Sequence, residues 1–181
     1  MSSASDLNLL YSEEVQSKMA KIATKAASSV HYRARMEAYS CNERLGNRDG
    51  AAEIIGIDRT RLARIELGTI VPYPEEVIMM ADAYNAPELM NHYCTKECPI
   101  GRRIIPQAEP IHFDRLTIKV SNAVENCMDA GKTMRAIAGS GNFTERDVAE
   151  LHKVLKTLKR VSQVAVEMEI WIQKHARSGA N

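Results

Sequence analysis

Apolar positions recur at helical spacing along most of the chain, so the sequence predicts an all-α protein. Ser12 caps a short amphipathic helix with Glu13 and Glu14 in its first turn and Val15, Met19, Ile22 and Ala26 along one side. With the Ser-rich stretch before it, this makes an N-terminal arm over 1–29. Val30, Ala34 and Ala38 mark a helix over 30–42, whose Arg33 and Arg35 are expected to face solvent. Pro74 opens another, with Val77, Ile78, Ala81 and Tyr84 as core positions. Ala86-Pro87-Glu88 starts a short one that ends near Tyr93.

The segment 101–110, GRRIIPQAEP, holds two prolines that discourage helix and is expected to be a linker. After it, Leu116, Val120, Ala123, Cys127, Ala130, Met134 and Ile137 alternate in steps of four and three. Leu151, Val154, Leu158, Val161, Ala165, Met168 and Ile172 do the same. Each set is the seam of a helix packed along another helix. Gly139-Ser140-Gly141-Asn142 is the reversal between them, and Thr144 with Asp147 resembles a capping box. The expectation for 111–177 is an antiparallel helical hairpin. Between Val161 and Ile172 the off-seam residues Val164, Val166, Ile170 and Trp171 are apolar as well. Such a helix needs a further surface. A second copy of the chain is the first choice for it and the N-terminal helix the second, so the hairpin is expected to form a homodimer. Lys153, Lys156, Lys159 and Arg160 lie off the seam as a solvated face.

The stretch from Arg48 to Gly68 organises the rest. Ala51, Ala52, Ile54 and Ile55 give a first short helix an apolar face. Gly56-Ile57-Asp58 makes a tight corner: Gly56 stops the helix, Ile57 fills the angle, and Asp58 caps the next helix. That second helix turns Leu62 and Ile65 inward and Arg59, Thr60, Arg61 and Arg64 outward, then closes at Gly68.

Two short helices at a steep angle across a Gly-containing corner form a helix-turn-helix pattern. The run Ala52-Glu53, Gly56-Ile57-Asp58, Leu62, Ile65-Glu66 and Gly68 resembles the Cro/repressor-type (XRE-like) regulators. So does Pro72 with the helix that follows. The resemblance covers roughly residues 30 to 90. Where the family usually carries a polar amide in the first of these helices, this chain has Arg48. The resemblance implies a five-helix DNA-binding domain over 30–100 that acts as a transcriptional regulator. Its recognition helix, residues 59–66, would enter the major groove of double-stranded DNA. The family's usual base readers match Arg59, Thr60 and Arg64, leaving Arg61 and Arg48 to hold phosphate. The alternative is a protein-interaction module of antitoxin or adaptor type, with weak DNA binding.

The formal net charge over 181 residues is +1, so there is no global basic field and any nucleic-acid surface must come from local clustering. A hydrophobic content of 45% is enough to bury a core. No segment approaches the roughly 20 apolar residues of a membrane span, and the N-terminus lacks the pattern of a secretory signal. Four sparse cysteines suit a reducing compartment, so the expected location is cytoplasmic. His92, Cys94 and Cys98 lie close together, but a structural zinc site wants four ligands; the cysteines are expected to be structural and no metal or other cofactor is expected. No nucleophile stands beside a base in any recognisable setting, and no enzyme activity is expected.

Overall fold

The computed structural model describes residues 25–176, and every regular element among them is helical. No helix among the described residues is long and apolar enough to cross a membrane. The expected N-terminal helix lies largely outside the described residues. The chain divides into two compact units, Met1–Pro72 and Tyr73–Asn181.

In the first unit a 3-10 turn, Lys25–Ser28, leads into α1, Val30–Tyr39. Ser29 caps α1 by accepting a hydrogen bond from the Tyr32 amide. α1 stops three residues short of the expected end, because Asn42 leaves the helix and caps a second 3-10 turn, Glu43–Gly46. Then come α2, Arg48–Ile55, and α3, Arg59–Glu66. Leu45, Ala51, Ala52, Ile55, Leu62 and Ile65 are buried and form the core of this unit. Small residues allow close approach: a Cβ on Gly50 would lie 2.3 Å from the Arg44 carbonyl oxygen, so the 3-10 turn rests directly on α2.

The second unit begins with α4, Pro74–Tyr84, and α5, Glu88–His92, the helices expected as the fourth and fifth of a 30–100 domain. Pro74 occupies the first helical position, where its missing N–H costs nothing. The Glu76 carboxylate accepts from the Tyr73 amide at 2.7 Å. A π-helical turn, Tyr93–Glu97, and a one-turn helix, α6, Gly101–Ile104, follow. The segment expected as a free linker is held down by buried Asn91. Its Nδ2 donates to the Pro106 carbonyl at 3.0 Å, and its Oδ1 accepts from the Ala108 amide at 2.9 Å.

α7, Phe113–Gly139, and α8, Glu145–Ala176, run antiparallel. Phe113 meets Trp171 with ring centroids 4.9 Å apart, and Lys119 meets Glu167 at 2.8 Å. On α7 the buried positions Leu116, Ala123 and Ala130 belong to the expected seam. On α8 the seam needs correction beyond Val154, which is buried as expected. The off-seam Val164, Glu167 and Ile170 are buried, whereas Leu158, Met168 and Ile172 are exposed, and so is Ala165. From Val161 onward α8 is apolar on both flanks of its stripe, so periodicity did not select the side that meets α7. Ile170, expected to need an outside surface, is buried within the chain, and Trp171 is half-buried between Phe113 and His175.

Candidate nucleic-acid interface

The outer face of α3 is set by what its inner face buries. Leu62 and Ile65 reach the core with 0% and 2% exposure, and Glu66 beside them is fully buried. A buried carboxylate persists only when it is paired and hydrogen-bonded. Two arginines supply this. Arg35 from α1 donates Nε to Glu66 Oε1 at 2.5 Å and a terminal nitrogen to Oε2 at 3.2 Å. Its other terminal nitrogen donates to the Leu45 carbonyl at 2.7 Å. Arg48 at the start of α2 donates Nε to Glu66 Oε2 at 2.7 Å. The Glu66 carboxylate therefore ties α3 to α1 and α2, and Arg35 extends the network to the 3-10 turn.

This corrects the expectation that Arg35 faces solvent; it is 3% exposed, while Arg33 is exposed. Sequence reasoning missed the network, although it left a signal. Glu66 falls on the same helical stripe as Leu62 and Ile65, four and one residues away, and so had to point inward with them.

The ends of α3 are closed locally. Asp58 accepts from the Arg61 amide at 2.9 Å. Gly56 adopts the left-handed conformation, φ 82°, which ends α2 without strain and turns the chain into Ile57. At the far end the Thr69 amide and hydroxyl both donate to the Arg64 carbonyl, at 2.9 and 3.0 Å. An eight-residue helix with both caps made and its inner face fully committed has a fixed rotation about its axis.

That rotation places Arg59, Thr60 and Arg64 at the surface and Arg61 half-buried. Arg59 Nε pairs with Asp49 of α2 at 2.7 Å; both side chains are well exposed, so the pair contributes little and opens readily. Arg44 pairs with Glu53 of α2 at 2.8 Å, again with both side chains exposed. Arg64 has no ion-pair partner among the described residues. Arg48 is held by its Nε, while its terminal nitrogens make no hydrogen bond among the described residues. The five residues thus comprise three exposed side chains and one half-buried one on α3, with Arg48 anchored at the start of α2.

Cys94 and Cys98 are half-buried, and Cys98 Sγ accepts from the Gly101 amide at 3.3 Å. No group of three His, Cys, Asp or Glu side chains among the described residues is placed to hold a metal ion. Compared with protein-family models, with curated proteins and with solved structures, the chain matches none of them.

Proposed function

We propose that this protein is a sequence-specific double-stranded DNA-binding regulator of transcription, built on a helix-turn-helix of the Cro/repressor type and acting in the cytoplasm. One observation carries this reading. α3 is locked at its inner face and both caps, and it turns Arg59, Thr60 and Arg64 outward along less than two turns of helix. A rigid short helix with arginines on its free face fits the major groove, where arginine donates to both acceptors of guanine. Arg59, Thr60 and Arg64 read bases in this account. Arg61 and the anchored Arg48 hold phosphates.

The proposed regulator is a homodimer, since paired recognition helices read two half-sites. Leu158, Ala165, Met168 and Ile172 form an exposed stripe on α8 at steps of seven, three and four. Beside it Val124 and Met128 of α7 are 57% and 65% exposed. With Ala165 and Met168 of the stripe, these two border an apolar groove of about 470 Å³ that also takes in Val120, Val161 and Val164. A second hairpin laid into this groove would complete a four-helix bundle with knobs-into-holes packing.

A protein-interaction module is the second reading. It is favoured by the pairing of Arg59 with Asp49 and Arg44 with Glu53, which lowers the positive potential around α3. Titration of labelled duplexes at several salt concentrations separates the two. Arg64→Ala should cost about 1–3 kcal/mol against the preferred site and relax choice at one base pair. Arg61→Ala should weaken all sequences alike and flatten the salt slope by about one unit. Equal losses for preferred and random duplexes in both variants would overturn the assignment of readers and holders. A salt-independent residual interaction would favour the interaction module.

A further inference from the structure

α7 and α8 bring together cations that lie far apart in the sequence. Arg115 and Lys119 stand one turn apart on α7; Lys156, Lys159 and Arg160 fall within one turn of α8. All five line a single cleft of about 650 Å³, closed on one side by the chain from Pro106 to Ile111. That wall is fixed, because Asn91 holds Pro106 and Ala108, and Lys96 donates to Gln107 at 2.9 Å. The two carboxylates in the lining are Glu109 and Glu167. Glu167 is 2% exposed and already committed, accepting from Lys119 at 2.8 Å through each oxygen and from Gln163 at 3.1 Å. Arg115, Lys156, Lys159 and Arg160 have no ion pair among the described residues.

We infer that this cleft binds the polyphosphate group of a small molecule of nucleotide size. Like charges at steps of three and four repel along a helix, so Lys156, Lys159 and Arg160 carry a standing electrostatic cost that a bound anion removes. Concave walls focus the potential of such a cluster. The cluster spans one turn on each helix, roughly 6 Å of axis. That length suits two or three linked phosphates, whereas a DNA strand would call for cations strung along many. The volume lies within the usual range for small-ligand pockets, about 300–1,000 Å³. Pro106 and Ile111 offer an apolar flank for an organic group. Lys153, the remaining member of the basic stripe on α8, pairs instead with Glu150 at 2.7 Å. The inference is independent of any DNA contact by α3.

Calorimetric titration of the full chain with inorganic tripolyphosphate, and separately with ATP, tests it. Saturable binding is expected for both. Tighter ATP would assign a nucleotide, and equal affinity the phosphate chain alone; either supports the site. Lys156→Gln with Arg160→Gln should weaken both ligands at least tenfold while helical circular dichroism is unchanged. Lys153→Gln should change them less than twofold. Heats that never saturate would overturn the proposal, as would equal losses in the cleft and Lys153 variants. Loss of duplex affinity in the cleft variant with no saturable polyphosphate binding would make the cleft a DNA contact instead.

Discussion

Glu66 decides how the outer face of α3 is presented. Moving its carboxylate out of water costs several kcal/mol, and the two guanidiniums around it offset much of that. Such a network is weak support for net stability, but removing one partner strands a buried charge. Arg35→Ala is therefore expected to cost about 3–5 kcal/mol in urea unfolding. Replacing both partners, Arg35→Met with Glu66→Leu, should cost far less. A loss under about 1 kcal/mol for Arg35→Ala would mean that Glu66 is not held this way. At this scale the sequence was half legible. Leu62 and Ile65 could be placed inward by spacing, and the exposure of Arg59, Thr60 and Arg64 followed, whereas Arg61, also expected outward, is half-buried. Arg35 could not, because arginine is rarely fully buried and its partner lies 31 residues away.

At the level of elements, α8 is tied at its start by a reciprocal cap. The Thr144 amide and hydroxyl each donate to Asp147 Oδ2 at 2.7 Å, and the Asp147 amide donates back to the Thr144 hydroxyl at 3.4 Å. The hydroxyl bond, then the amide bond, hold the Asp147 carboxyl below its ordinary value of 3.8. A depressed carboxyl contributes stability that is fully present above the unfolded pKa and lost as pH falls through the folded one. Asp147→Asn should therefore lower the melting temperature at neutral pH. The difference from wild type should shrink as pH falls below about 4. A difference that stays constant through that range would contradict the cap. Thr144 and Asp147 could be identified from their spacing alone. The side of α8 that meets α7 could not, because Val161 to Ile172 is apolar on two adjacent stripes and Glu167 takes a seam position only by virtue of Lys119.

For the whole molecule, the stripe of Leu158, Ala165, Met168 and Ile172 matters most. Val124→Glu with Met128→Glu, beside it, should convert a dimer into monomers by light scattering, with helical content retained. A wild type already monomeric at roughly tens of micromolar would sink the dimer. The unit division was the least legible feature. Pro106 and Pro110 announce an irregular segment, but its attachment depends on the amide of Asn91, which no periodicity reveals. Likewise the helices from Pro74 to His92 follow α3 closely in sequence yet fall in the second unit. The central claim is that α3 reads DNA sequence, and selection of bound duplexes from a random pool by the full chain tests it most directly. The expected result is an enriched palindromic motif whose half-sites lie about one helical turn apart, or a multiple of it. A pool that stays random after repeated rounds, with the protein folded throughout, would contradict the account.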